Sequence, residues 1–470
     1  MKSFFKYTIV LITMSLLSSC FKDNDDSPSN SFEIKDFVWK GMNFAYLYKE
    51  NSPNLANDRF GSSSEYQTYL DGFESPESLF ESVIYDRQSI DRFSWITNDY
   101  IALEEQFSGV TKRNGAEFNF YYVPGSTSNI YGIVRLVLPN SDASSTPLTR
   151  GQIFNKIDNQ TLTTENLQSL IAADNYSIGL ATYDDNGTDE PEDDILTNTA
   201  ETITLTKTIY SENPIFKTKV FNLNDENVGY LMYNGFISEF DSQLNAVFGD
   251  FQAQNIQHLI LDLRYNPGGS VNSSAALGSM ITGFSDGVFA KLQYNTDLQN
   301  NNTNFNFSNS LSPQGGSINA LNLNKVYVLT SGSSASASEM IINSLRSYIE
   351  VIQIGTQTVG KSQASTTIYD SSNFQRQGAN PGHLYALQPL VAITVNKDDQ
   401  VVPSTGLVPD IEVKESITNY GVLGTNEEPM LAAALLAIES SGRFGINEHG
   451  IIPIMDSDTF VPHAQSMYLD

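Results

Sequence analysis

Cysteine and histidine are scarce in this sequence, with one cysteine and four histidines among 470 residues. A single cysteine excludes an internal disulfide framework and cysteine-based metal sites. The histidines stand in no recognisable triad motif; they are His258, His383, His449 and His463. We therefore expect neither a metal nor a cofactor, and a nucleophile in this chain would need a base other than histidine.

Basic residues are also few, because 26 lysines and arginines stand against 54 aspartates and glutamates, for a net charge of −28. This balance argues against nucleic acid and anionic membrane surfaces as partners. The acidic residues are spread along the chain, which is typical of a solvated surface. An apolar content of 40% is enough for real cores, and the length suggests about three domains.

The N-terminal apolar run, residues 7–17, is too short to cross a bilayer comfortably. It follows Lys2 and Lys6, as in a signal peptide. It ends in Leu17-Ser18-Ser19-Cys20, which resembles the bacterial lipobox, whose cysteine becomes the lipidated N-terminus. We predict a lipoprotein signal peptide over 1–20 with lipidation of Cys20. An ordinary signal peptide followed by a core cysteine is the alternative.

Residues 21–32 are charged at their start and are predicted to be a flexible tether. Acidic residues just after the cysteine resemble the surface-export signal of lipoproteins in some Gram-negative bacteria. The predicted location is the cell envelope, with the protein lipid-anchored to the outer membrane and facing the periplasm or the cell surface.

Residues 33–107 carry helical periodicity and are predicted to form a helical domain. Ser75-Pro76 marks a helix start, since proline is favoured in the first turn. Residues 91–96 are predicted to be a loop that enters a third helix. The aromatic residues of this region are most simply explained as core.

Residues 108–212 change character, with predicted strands at 118–123 and 131–138 and a helix at 166–172. Between them, residues 150–160 (RGQIFNKIDNQ) resemble a segment of PDZ domains, which bind peptide C-termini by strand addition. Gln152 stands where an aspartate is usual and Asn159 where a glycine is usual. Asn159 tolerates the left-handed conformation, so Asp158-Asn159 can still form the turn. A small αβ insertion of another kind is the alternative.

From residue 213 the pattern alternates strands and helices, which predicts an α/β layout with a mainly parallel sheet. Two motifs lie in it. The first is Asn266-Pro267-Gly268-Gly269 after a buried strand, where adjacent glycines let backbone N–H groups approach a bound atom. The second is a serine-rich turn, 334–339 (SASASE), that opens a helix after a strand, a common place for a nucleophile. Ser336 and Glu339 could instead be only a capping box.

Together with Lys361, 25 residues after Ser336, and with 406–410 (GLVPD), these motifs resemble the tail-specific, or carboxyl-terminal processing, serine peptidases. The resemblance implies that Ser336 is the nucleophile and Lys361 its general base. It also implies an oxyanion hole at the N–H groups of Gly268 and Ala337. In many relatives, a glutamine four residues after the lysine orients the lysine side chain. Ser365 holds that position here, so Gln363 and Ser365 are both candidate orienters.

The same resemblance implies an α/β, ClpP/crotonase-like protease core over 213–440, an N-terminal helical domain over 33–107 and an inserted PDZ-like domain over 108–212. Residues 441–470 are predicted to be a C-terminal tail. The predicted function is a membrane-tethered serine endopeptidase with protein or peptide substrates and an acyl-enzyme on Ser336. Lys361 must then be neutral, which takes on the order of 4 kcal/mol of desolvation. A catalytically silent peptide-binding lipoprotein is the alternative.

Residues 355–362 (GTQTVGKS) also match the nucleotide-binding P-loop pattern. A P-loop must open directly into a helix that holds the phosphate at its N-terminus. Residues 363–369 are predicted to be a strand, so we interpret Lys361 as a base and not as a phosphate ligand.

Overall fold

The computed structural model describes residues 31–440 except 189, 313–314 and 416, together with residues 452–460 and 467–469. The N-terminal part is largely helical: α1 (Ser31–Ala45), α2 (Ser63–Asp71), α3 (Pro76–Val83), the short strand β1 (Trp95–Thr97) and α4 (Tyr100–Phe107). Ser75 caps α3, with Pro76 in the first turn, as predicted. No helix among the described residues is long and apolar enough to span a bilayer.

The segment 91–96 differs from the prediction of a loop that leads into a helix. Trp95 and Ile96 belong to β1, which pairs antiparallel with residues 386–388, and the next helix begins only at Tyr100. Trp95 is buried there. A three-residue strand is stabilised by its partner, and a partner almost 300 residues away leaves no local sequence signal.

The second part is a small sheet with one helix. Its elements are β2 (Val110–Arg113), β3 (Ala116–Tyr122), β4 (Ile130–Val137), β5 (Ile153–Ile157), β6 (Gln160–Thr161), α5 (Leu167–Ala172), β7 (Asn175–Asp184), β8 (Ile195–Thr206) and β9 (Thr208–Ser211). The sheet runs β3-β4-β5-β7-β8, and β2 pairs with β9. Asp158 and Asn159 both have positive φ, 48° and 61°, in the turn between β5 and β6, which confirms the predicted turn.

The third part is the large α/β core. Its elements are β10 (Ile215–Leu223), β11 (Glu226–Tyr233), α6 (Asp241–Ala253), β12 (His258–Asp262), β13 (Gly269–Ser270), α7 (Val271–Thr282), β14 (Val288–Tyr294), β15 (Thr303–Asn306), β16 (Lys325–Thr330), α8 (Ala337–Leu345), β17 (Glu350–Gly355), β18 (Gln363–Ser365), β19 (Ile368–Tyr369), β20 (Ala386–Gln388), β21 (Leu390–Val395), β22 (Ile411–Glu412) and α9 (Pro429–Ser440). One sheet has the order β10-β11-β12-β16-β17-β22 and is parallel from β11 onward.

Both faces of this parallel sheet are covered by helices. Leu261 and Val328 face the core that contains α6, α7 and α8, whereas Ile260 and Leu329 face α9. Successive residues of a strand point to opposite faces, so a strand buried on both sides is apolar throughout. The predicted mainly parallel α/β layout is confirmed.

The C-terminal segment 441–470, predicted as a tail, supplies two short strands among its described residues. β23 (Met455–Asp456) lies along the edge of β3 in the small sheet. β24 (Met467–Tyr468) lies between β13 and β18 in a second six-stranded sheet of the core, β13-β24-β18-β21-β14-β15. The end of the chain therefore packs against both the small sheet and the core.

Candidate active site

Three loops meet at one edge of the parallel sheet because they follow three neighbouring strands. The Asn266-Pro267-Gly268 loop follows β12, the serine-rich turn follows β16, and the loop that carries Lys361 follows β17. The carboxyl ends of parallel strands share an edge, where open α/β sheets place their sites.

Ser336 lies at the N-cap of α8 with φ 65° and ψ −117°. This backbone conformation is costly for a residue with a Cβ and is concentrated at functional sites. The hydroxyl lies near the Glu339 N–H as in a capping box, but it is fully buried and makes no hydrogen bond within the described residues. The sharp turn thus places the Ser336 hydroxyl, without a hydrogen bond among the described residues, beside the positive N-terminal end of α8.

The Asn266-Pro267-Gly268 loop is hydrogen-bonded to the serine-rich turn. The Asn266 carbonyl accepts from the Ala335 N–H at 3.2 Å and from the Ser338 hydroxyl at 3.0 Å. The next residue, Gly269, has φ 130°, and a Cβ there would lie 2.2 Å from the carbonyl oxygen of Phe236. Glycine is therefore required by both conformation and space.

The two predicted oxyanion donors differ in their present state. The Ala337 N–H belongs to the first turn of α8, where N–H groups have no carbonyl partner within the helix. The Gly268 N–H donates to the side-chain oxygen of Asn266 at 2.9 Å. For Gly268 to stabilise an oxyanion, this hydrogen bond has to break.

Glu339 joins the serine-rich turn to the lysine loop. One carboxylate oxygen accepts from the Ser336 N–H at 2.9 Å and from the Lys361 N–H at 2.8 Å. The other accepts from the Gly360 N–H at 2.7 Å and from the Thr358 hydroxyl at 2.5 Å. Burial raises the pKa of Glu339, and these hydrogen bonds oppose the rise. A residue that the sequence explains as a helix cap therefore fixes the backbone of both predicted catalytic residues.

Lys361 is 1% exposed. Burial lowers the pKa of its amine to about 7, while the negative charges of Asp91 and Glu339 oppose this fall. The amine lies 4.9 Å from the centre of the Phe93 ring. A large fraction of the amine is neutral near pH 7, as a general base requires.

The loop 91–94 of the N-terminal region forms one wall around Lys361, and sequence reasoning missed this role. The buried carboxylate of Asp91 accepts from the N–H groups of Phe93 and Ser94, at 3.2 and 2.8 Å. Arg92 donates to the carbonyl oxygen of Gly360 at 3.3 Å. Asp91 and Phe93 belong to no recognisable sequence motif. Only their position next to Lys361 in the structure identifies them as part of the candidate site.

The predicted orienters are engaged with other groups. The Gln363 side chain donates to the Tyr48 hydroxyl at 3.0 Å. Ser365 donates to the Met467 carbonyl at 2.9 Å and accepts from Gln388 at 3.0 Å. Both residues belong to β18, so a strand follows Lys361 where a P-loop needs a helix. Cys20, the predicted lipidation site, lies outside the described residues.

Two family models match this chain. Peptidase family S41 matches residues 227–413, which include every predicted catalytic and oxyanion residue. The peptidase S41 N-terminal domain matches residues 33–95, which include the loop against Lys361.

Curated relatives match over part of their length. A "Probable CtpA-like serine protease" of Staphylococcus epidermidis is 30% identical over 141 residues, 30% of this chain and 26% of the relative. A carboxyl-terminal-processing protease of Picosynechococcus is 25% identical over 243 residues, 51% of each chain. The chain thus spans about half, or less, of the length of these relatives.

Two solved structures share the fold. The crystal structure of a "Putative S41 protease" from Bacteroides fragilis aligns with a TM-score of 0.67 at 23% identity, over 87% of this chain and 98% of that one. The photosystem II D1 C-terminal processing protease aligns with a TM-score of 0.50 at 16% identity, over 86% of this chain and 100% of that one. With the matched family domains and relatives, this confirms the predicted resemblance: the chain belongs to the tail-specific, or carboxyl-terminal processing, peptidases of family S41.

Proposed function

We propose that this protein is a serine endopeptidase that cuts protein or peptide substrates with a Ser336–Lys361 dyad. The observation that carries the proposal is the state of Lys361, a fully buried amine whose pKa falls to about 7. Glu339 ties its backbone to that of the strained Ser336. A surface lysine or a simple capping serine has no need of this arrangement.

In the proposed reaction the neutral Lys361 amine takes the proton of the Ser336 hydroxyl while Oγ bonds to the scissile carbonyl carbon. The resulting oxyanion is stabilised by the N–H groups of Ala337 and Gly268, once Gly268 has left the Asn266 side chain. The C–N bond then breaks, and the leaving amine takes the proton from Lys361. Water attacks the acyl-enzyme, gives a proton to Lys361, and the proton returns to Ser336 as the ester bond breaks.

The test is cleavage of an unfolded reporter protein by the full chain and by Ser336→Ala and Lys361→Met. We expect both substitutions to abolish cleavage. Ser344→Ala is the matched control, since Ser344 is also buried on α8 and its hydroxyl likewise has no hydrogen-bond partner within the described residues. Ser344→Ala should cut as the parent does. Cleavage that survives Ser336→Ala would contradict the proposal.

A catalytically silent binding protein is the second candidate, and it is favoured by the closed state of the site. Ser336 is fully buried, and the Gly268 N–H is engaged by Asn266. A fluorophosphonate probe separates the candidates. Labelling of the parent protein, absent from Ser336→Ala, supports the enzyme, whereas no labelling and no cleavage under any condition supports the binding protein.

We also propose that the enzyme is tethered to the outer membrane through a lipid on Cys20 and that the small sheet, residues 108–212, is a PDZ-like domain that selects substrates. The lipobox-like 17–20 segment supports the tether, and the turn at 158–159 supports the PDZ-like assignment. Incorporation of labelled palmitate that is lost in Cys20→Ala tests the anchor. Equal labelling of the two proteins would refute it.

A further inference from the structure

The edge strand of the small sheet is covered by another part of the same chain, residues 452–457, here called the C-terminal strand. Met455 and Asp456 pair antiparallel with Phe120 and Asn119 of β3. The Ile454 N–H donates to the Phe120 carbonyl at 2.9 Å. An uncovered edge strand is a template for another extended chain, and peptide-binding domains use this mode of strand addition.

The side chains of the C-terminal strand alternate as those of a bound peptide do. Met455 packs against the apolar core of the small sheet, which contains Phe118 and Phe120. Ile452 and Ile454 point away from that core and are 61% and 38% exposed. Met455 therefore makes the apolar contact with this core, while backbone hydrogen bonds hold the strand along β3.

The next residue, Asp456, forms a buried ion pair. Arg135 of β4, which has no exposed surface, donates to the Asp456 carboxylate at 2.9 Å and to the Ser333 hydroxyl at 2.9 Å. Ser333 in turn donates to Asp456. Burial raises the pKa of Asp456, but the charge of Arg135 and the Ser333 hydrogen bond outweigh it, so the pKa falls and the carboxylate stays charged. Next to the apolar contact of Met455, the edge of β3 thus holds a charged acidic residue.

This contact also reaches the candidate active site. Ser333 directly precedes the serine-rich turn, three residues before Ser336. The Arg135 guanidinium lies 4.8 Å from the centre of the Tyr265 ring. Tyr265 directly precedes the Asn266-Pro267-Gly268 loop. Whatever occupies the edge of β3 at the Asp456 position therefore contacts Ser333, the residue directly before the turn that carries the proposed nucleophile.

The C-terminal strand uses only part of the groove, because the chain turns at Ser457 into a short 3-10 helix. Beyond Ser457, a cavity of about 510 Å³ continues between the start of β3 and α5. Its wall includes apolar Phe118 and Ile171. The charged residues in its lining are Glu105, Lys112, Arg113 and Lys207. A peptide that runs in the same direction as the C-terminal strand would extend into this cavity.

We propose that the C-terminal strand is a built-in occupant of the groove along the edge of β3, where the proposed PDZ-like domain would bind substrate by strand addition. Substrate chains that carry an apolar residue followed by an acidic one displace this occupant. The groove's role in substrate selection rests on the proposed peptidase function, but the binding itself does not require cleavage.

The test measures binding of a fluorescent peptide with the sequence of residues 452–457 (IPIMDS) to full chains that also carry Ser336→Ala. Ile454→Pro removes the N–H that bonds Phe120 and should release the C-terminal strand. Ile454→Ala is the matched control, because it trims an exposed side chain and keeps the N–H. We expect Ile454→Pro to bind the peptide at least about tenfold more tightly than Ile454→Ala. Alanine in place of the peptide's aspartate should weaken that binding about tenfold.

A folded Ile454→Pro protein that binds no peptide would show that the edge of β3 is not a binding groove. Equal binding by Ile454→Pro and Ile454→Ala would show that the C-terminal strand does not compete with the peptide for that groove. Equal binding of the peptide and its alanine version would overturn the acidic preference. Asp456→Asn provides a second, milder variant in case proline prevents folding, and it too should bind more tightly than Ile454→Ala. Because binding is measured in an inactive background, its failure is separate from any failure of cleavage.

Discussion

Replacement of Lys361 by methionine tests the central property of the site, a lysine held neutral by burial. The pKa of Lys361 falls from 10.5 to about 7 on folding. Between these two values the unfolded chain binds the proton more tightly than the folded one, so this lysine makes stability rise with pH across that window. From the two pKa values, its burial costs about 4 kcal/mol at pH 7 and about 2 kcal/mol at pH 9.

Methionine fills a similar volume and does not titrate. Lys361→Met should therefore be more stable than the parent protein, and its advantage should shrink by about 2 kcal/mol between pH 7 and pH 9. The change with pH is the informative quantity, because the contact with Phe93 is lost equally at both pH values. Groups that titrate in both proteins cancel in the comparison.

The assay is denaturant unfolding of both proteins at pH 7, 8 and 9, monitored by tryptophan fluorescence. Lys40→Met serves as the control, since the Lys40 side chain is 57% exposed and should give no pH-dependent difference. If the advantage of Lys361→Met is the same at pH 7 and pH 9, Lys361 is not held neutral by the fold. The proposed role as general base would then lose its physical basis.

Three further predictions concern the groups around the dyad. Asp91→Asn keeps an acceptor for the Phe93 and Ser94 N–H groups but removes a negative charge that raises the pKa of Lys361. The midpoint of the pH profile of kcat/KM should therefore move to lower pH. An unchanged or higher midpoint would contradict this prediction. Glu339→Ala leaves three buried N–H groups without an acceptor and should lower the free energy of unfolding by at least about 3 kcal/mol. Glu339→Gln should lower it by less. Equal losses for the two variants in denaturant unfolding would show that Glu339 does not join the two loops. Ser336→Gly relieves the backbone strain that Ser336→Ala retains, so the glycine variant should be about 1 kcal/mol more stable, although we expect both to be inactive. The reverse order of stability in thermal unfolding would show that Ser336 is unstrained.

Much of the core could be predicted from the sequence because its signals are local. Apolar runs at 228–233, 258–263 and 326–329 are buried strands of a parallel sheet, and the turn at 158–159 has the expected positive φ. The strand after Lys361 was also visible in the sequence, which separated this loop from a P-loop. The spacing of Ser336 and Lys361, read with the family resemblance, identified the loops that the sheet brings together.

The sequence by itself determined which side chains stand at the ends of the strands, since periodicity and motif spacing are properties of neighbouring residues. Tertiary structure alone decided what surrounds them. Asp91 and Phe93, which lie against Lys361, come from a segment about 270 residues before that lysine. The strand that pairs with the edge of β3 comes from residues more than 300 positions after β3. Such contacts depend on how separate elements pack, and the pKa of a buried amine depends on all of its neighbours at once. No local pattern of apolar and polar residues encodes that environment.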